Sequence, residues 1–149
     1  MNQRHRSRRL AVQGLCCLDA QGSKARDLVL EFVEDSRESP EVATVAREML
    51  LGAFERRQET DRLLARHARH WDLSRLAMVD RNILRLAVHE LLSGQTPPKV
   101  AITEAIKLAK EFSSAESPRF VNGVLDAVVR ELFPAVLTPP RRRDEPPTG

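Results

Sequence analysis

The sequence predicts an all-α protein, on three observations. Apolar residues recur at three- and four-residue spacing along about seven segments, the signature of amphipathic helices. Ser39-Pro40, Thr96-Pro97 and Ser117-Pro118 each pair a hydroxyl N-cap with a proline suited to the first helical turn. No segment alternates apolar and polar residues with the period of two that a half-buried strand requires.

Taken in order, the first helix is expected from about Arg4 to Ala20, with Ala11, Val12, Leu15 and Leu18 as its apolar stripe and Gly22 as its stop. The second turns Ala25, Leu28, Val29, Phe32 and Val33 inward. The third starts at Ser39-Pro40 and buries Val42, Val45, Ala46, Met49, Leu50 and Ala53. From Glu55 to His70 the chain is highly charged, with Leu63 and Leu64 as anchors. It is either a fourth helix or a continuation of the third, interrupted by Trp71-Asp72-Leu73-Ser74, where Trp71 reads as a core plug. The fifth helix, Val79 to Leu92, buries Ile83, Leu84, Ala87, Val88 and Leu91 and lines up Arg81, Arg85 and His89 on the opposite side. The sixth, after Thr96-Pro97, turns Ile102, Ala105, Ile106, Ala109 and Phe112 inward and Glu104 and Lys107 outward.

The seventh helix carries a conflict. Asn122-Gly123 is a turn signal, yet Val121, Val124, Leu125, Val128 and Leu132 run a helical stripe through it. With the helix winning, Gly123 costs about 1 kcal/mol relative to alanine, and close approach of a neighbouring helix is the expected compensation. Beyond Phe133-Pro134 the pattern decays, and residues 138–149, with Pro139, Pro140, Pro146, Pro147 and Arg141 to Arg143, are expected to be a disordered tail.

A length of 149 residues with 42% hydrophobic and 30% charged residues fits one soluble domain with a real core. No apolar run is long enough to span a bilayer or to act as a secretory signal. The acid-free start superficially resembles a transit peptide, but the core pattern begins immediately after it. Cys16 and Cys17 are adjacent, which excludes a disulfide framework and indicates reduced, buried thiols in a cytoplasmic protein. His67 and His70 have ligand spacing, but two ligands do not make a metal site. No phosphate loop, triad or redox pair is present, so neither catalytic residues nor a cofactor are expected.

The net charge is only +3, but its distribution is informative: Arg4, Arg6, Arg8 and Arg9 all precede the first acidic residue, Asp19. Such a block favours an anionic partner over a merely solvated tail only when other features agree. Arg6, Arg9 and Gln13 step along one helix face as two guanidinium groups and an amide. Arg119-Phe120 places a further guanidinium beside an aromatic ring at the start of the last helix, a pair suited to phosphate contact and base stacking. On residues alone, RNA binding and a plain interaction domain stay about level.

Several segments together resemble the NusB family of bacterial transcription antitermination factors. They are the basic start with Ala11-Val12-Gln13-Gly14-Leu15, Trp71-Asp72-Leu73-Ser74-Arg75-Leu76, Val79-Asp80-Arg81 with Ile83 to Ala87 and Glu90-Leu91, Pro98 to Ala105, Leu108-Ala109-Lys110, and Phe120 to Asp126. The resemblance covers Arg4 to about Leu132. It implies two packed helical bundles, residues 1–75 and 76–137. It implies a non-enzymatic protein that binds single-stranded boxA RNA of ribosomal RNA leaders as a heterodimer with NusE, a small-subunit ribosomal protein. It also implies action with RNA polymerase, NusA and NusG. By position, Arg4, Arg6, Arg8 and Arg9 would be the main RNA element, Arg119 and Phe120 the second, and Asp80 and Glu116 the acidic positions toward NusE. Cys16 and His89 stand where the family often has tyrosine. Two alternatives stay open: a protein-interaction domain with altered RNA function, and an RNA-binding module like those at the start of some ribosomal RNA methyltransferases. Oligomeric state is open too, including a homodimer that would cover the arginine strip.

Overall fold

A computed structural model describes residues 2–68 and 76–135. Trp71, His70 and the tail at 138–149 lie outside the described residues, as does most of the junction near residue 75 where the sequence places the bundle boundary. Among the described residues there are seven α-helices and no strand: α1 Gln3–Gln21, α2 Arg26–Glu34, α3 Pro40–Glu55, α4 Arg57–His67, α5 Met78–Ser93, α6 Pro98–Phe112 and α7 Ser117–Leu132.

Local chemistry sets the ends. The Asn2 side chain caps α1 by accepting from the His5 amide at 2.7 Å, and Gly22 stops it with φ 84°, a conformation glycine adopts without strain. Ser39 caps α3 by accepting from the Val42 amide, with Pro40 in the first turn. The backbone breaks at Arg56, so the charged stretch is a separate helix and not an extension of α3. The other two proline signals fall one residue from expectation. Pro97 and Glu116 occupy the N-cap positions of α6 and α7, while the hydroxyls of Thr96 and Ser117 are drawn away to buried carboxylates.

The helix α1 packs on α2, α3 and α5, and α5 packs on α3, α4, α6 and α7 as well, so these two helices join the N- and C-terminal groups. The α4 helix sits chiefly against α5 and α7, with the C-terminal group. One continuous hydrophobic cluster runs through both, from Leu10, Val12 and Leu15 to Ile83, Leu84, Leu125 and Val128. Its central position explains why α5 buries residues on almost every side, including Asp80, Asn82 and Glu90.

Several expectations are corrected. Gly123 is exposed and a side chain there would meet nothing within 4 Å; it faces solvent, and no helix approaches it. The glycines that admit close packing are Gly14, where an added Cβ would lie 2.9 Å from a Leu50 methyl, and Gly52, where it would lie 2.5 Å from the His89 ring. Leu28 and Phe32 are 66% and 48% exposed, because α2 has too few neighbours to cover both of its apolar flanks. Cys17 is exposed and Cys16 half-buried. Glu104 is buried, because it faces His5 and Arg8 on α1.

Candidate nucleic-acid interface

The basic block at the chain start divides by helix geometry. Continuing the α1 apolar stripe backward from Val12 by four and then three residues reaches Arg8 and His5, and both are buried, at 3% and 5% exposure. Arg8 is therefore not a surface contact for RNA. Its Nε donates to both Glu90 oxygens at 3.1 Å and its Nη2 donates to Oε1 at 2.8 Å. Thr96 Oγ1 adds a 2.8 Å bond to the same carboxylate. The His5 ring faces Glu104 at 2.9 Å from Nδ1 and Glu111 at 2.5 Å from Nε2. Each ring nitrogen of His5 therefore has a carboxylate oxygen within hydrogen-bond reach. Burial pushes the Glu104 carboxyl up, but hydrogen bonds from His5 and Lys107 and the charges of Lys107 and Arg8 outweigh it and hold the pKa below the ordinary value.

What remains outside is Arg4, Arg6 and Gln13, exposed, and Arg9, half-exposed. Arg6 lies 4.0 Å from Glu38. Arg9 pairs with Glu111 at 2.9 Å and sits 5.5 Å above the Phe112 ring. The Arg9 contacts tie the strip to the C-terminal end of α6, where the chain turns toward α7.

That turn is built by Asp80. The carboxylate is buried and accepts from Ser113 Oγ at 2.7 Å and Ser117 Oγ at 2.9 Å, and Ser114 and Ser117 bond each other at 2.9 Å. Asp80 is thus a brace for the α6–α7 turn and not an exposed acidic contact. The turn presents Glu116 and Arg119, both exposed, and half-buries Phe120. Arg119, Phe120, Glu116 and Gly123 border an open groove of about 840 Å³. The exposed Gly123 leaves that groove unobstructed beside the Phe120 ring.

A second polar cluster braces the far end of α1. Asp19 accepts from Arg81 Nε at 2.8 Å, Asn82 Nδ2 at 3.0 Å and Arg85 Nη1 at 3.2 Å, and Arg85 also forks onto Asp61 at 2.8 and 2.7 Å. Burial raises the Asp19 carboxyl, but the bonds from Arg81 and Asn82 and the two arginine charges bring its pKa below the ordinary value. Arg81 and Arg85 therefore join α1, α4 and α5 and are not a free basic face. Burial pushes the neighbouring Cys16 thiol up to about 11, against a lowering bond from Asn82. The 5–8–12–15 spacing places His5 and Arg8 on the buried face of α1, but it does not point to Glu90 and Glu104 as their partners.

No cluster of metal-binding side chains occurs among the described residues, and no helix of the described residues is long and apolar enough to cross a membrane.

Residues 5–130 match the family model described as NusB family. Over 144 residues the chain is 44% identical to the transcription antitermination protein NusB of Solibacter usitatus (strain Ellin6076), covering 95% of this chain and 98% of the relative. It is 44% identical over 138 residues to the protein of that name from Symbiobacterium thermophilum, covering 87% and 90%. Among solved structures it is similar to T. maritima NusB, with a TM-score of 0.78 at 35% identity over 86% of this chain and 91% of that one. It is also similar to a chain of the complex of antitermination factors NusB and NusE with double-stranded RNA, with a TM-score of 0.77 at 28% identity over 88% and 98%. The chain belongs to the NusB family.

Proposed function

We propose that this chain is a transcription antitermination factor that binds single-stranded boxA RNA of ribosomal RNA leaders together with NusE. In this reading it joins RNA polymerase, NusA and NusG in the cytoplasm and supports processive transcription of ribosomal RNA operons. The observation that carries the reading is the exposed arrangement of Arg4, Arg6 and Gln13, linked through Arg9 and Phe112 to the turn bearing Arg119 and Phe120. Guanidinium groups take phosphates, and the Phe120 ring beside an open groove takes an unstacked base. Glu116, exposed at the same turn, is the acidic position toward NusE; Asp80 supports it from within.

Fluorescence anisotropy on a boxA-type RNA at several salt concentrations, with and without NusE, tests this. NusE should tighten binding, and single-stranded RNA should bind better than a duplex of the same sequence. Arg6→Ala with Arg9→Ala should lower the salt slope by about 1.4, at about 0.7 for each lost phosphate contact on a single strand. An unchanged slope in a folded double variant would remove the strip from the interface. A protein-interaction role without RNA draws on the exposed Leu28 and Phe32 of α2; it predicts NusE capture with no gain in RNA affinity. Sedimentation of the free chain reports whether a homodimer competes.

A further inference from the structure

Two arginines that lack a carboxylate partner among the described residues meet at one cleft. On α1, Arg6, Arg8 and Arg9 each lie near a carboxylate, whereas Arg4 forms no ion pair among those residues. Arg56, half-buried at the α3–α4 break, forms none either. Both border a cleft of about 380 Å³ between α3 and the C-terminal end of α5, together with His89, Gln95 and one carboxylate, Glu48. This cleft is separate from the groove beside Arg119 and Phe120, with which it shares no lining residue.

The His89 ring is seated against Gly52, where any Cβ would collide with Cε1 and Nε2, so a glycine is what leaves space for the ring. Its Nδ1 is buried and has no hydrogen-bond partner among the described residues. An N–H there would be a buried donor with no acceptor, which favours the tautomer carrying the proton on Nε2. Burial and the charge of Arg56 lower the His89 pKa and outweigh the raising charge of Glu90. A half-buried guanidinium with no carboxylate on it keeps its donors for an anion that enters the cleft.

We propose that Arg4, Arg56 and the Nε2–H of His89, with the Gln95 amide at the rim, form a binding cleft for a phosphate group. The phosphate belongs either to an RNA backbone, in which case the inference rests on the RNA-binding reading above, or to a free phosphate-bearing ligand. Glu48 opposes it and sets how tightly it is held.

The test is an NMR titration of the full-length chain with inorganic phosphate, at constant ionic strength to cancel general screening, followed through the His89 ring signal. A saturable shift is expected. Arg56→Gln should weaken it at least about ten-fold, the loss of a charge-assisted contact. Glu48→Gln should tighten it a few-fold, and Arg119→Gln should leave it unchanged. Arg4→Gln serves as the second weakening variant should Arg56→Gln lose helicity by circular dichroism. A non-saturable shift, or the same shift in Arg56→Gln and Arg4→Gln, overturns the cleft. With boxA-type RNA as the probe, a fall of about 0.7 in the salt slope of Arg56→Gln assigns the phosphate to the nucleic-acid backbone. An unchanged slope in Arg56→Gln, with saturable phosphate binding by the wild-type chain, assigns it to a free ligand. Failure of the wild-type chain to bind RNA at all leaves the phosphate titration intact and counts only against the RNA reading.

Discussion

Removing Arg8 separates a structural role from an RNA role. The Arg8 and Glu90 side chains are each 4% exposed and share three hydrogen bonds. Arg8→Ala leaves the Glu90 carboxylate buried with only the Thr96 hydroxyl on it, and uncompensated buried charges of this kind cost about 3–5 kcal/mol. Unfolding entropy of about 2.1 cal/mol/K per residue, applied to 149 residues, gives about 0.3 kcal/mol/K, so Tm should fall by about 10–16 °C. Arg8→Met with Glu90→Leu removes both charges at similar volume and should recover at least half of that loss, since buried pairs replaced together by apolar groups are often near neutral. Thermal and urea unfolding of wild type, Arg8→Met, Glu90→Leu and the double variant measure the coupling. The folded double variant should bind boxA-type RNA within about two-fold of wild type, because Arg8 donates to no phosphate. An Arg8→Ala protein as stable as wild type, or a double variant with a reduced salt slope, would refute the buried assignment and return Arg8 to the interface.

The glycines give opposite signs. Gly14→Ala drives a methyl into Leu50 and Val29 and should destabilise by about 1–3 kcal/mol, while Gly123→Ala fills open space on an exposed helix face and should stabilise by about 0.5–1 kcal/mol, both read from urea midpoints. Asp80→Ala strips the acceptor from two serine hydroxyls and should cost about 1–3 kcal/mol, with NusE and RNA affinity falling together because the α6–α7 turn loosens. Asp19 and Glu104 have folded pKa values below their unfolded ones. Their contribution is therefore present above the ordinary carboxylate range and is lost as pH falls through the folded values. Urea midpoints followed downward from about pH 6 should decline, and Asp19→Asn should flatten part of that decline; an identical acid limb in the variant would contradict the Arg81 and Arg85 clasp.

The helices were legible because period and punctuation agree along most of the chain: Ser39-Pro40, the α3 stripe and the α5 stripe all fall where the pattern puts them. The burial pattern departs from the stripes where helix neighbours differ in number. A stripe of apolar residues says which face is inside but not how many neighbours the helix has. The α2 stripe is wider than its neighbours can cover, leaving Leu28 and Phe32 outside, whereas α5 is surrounded and buries polar residues that a stripe argument places on the surface. Asn122-Gly123 is a different case. The stripe overrides the turn signal, but the packing role expected of Gly123 belongs to Gly14 and Gly52, which a sequence shows only as small residues inside a helix. Arg8 and Glu90 are 82 residues apart, and nothing local announces that they pair.

The division of the basic block changes what the first helix can do for a ligand. Counted from the sequence it offers four guanidinium groups; in the fold Arg4 and Arg6 are exposed, Arg9 is half-committed to Glu111 and Phe112, and Arg8 is withdrawn. The outward charge is smaller, but its placement is fixed, because His5 and Arg8 lock α1 to α5 and α6 along the opposite face. An arginine arm that must order on binding loses backbone and side-chain entropy at that moment. Here the helix is already folded and anchored, so that loss falls mainly on the side chains of Arg4 and Arg6. The buried pairs on one face of α1 thus prepare the exposed arginines on the other, and the affinity of the strip depends on α5 and α6 residues that no phosphate touches.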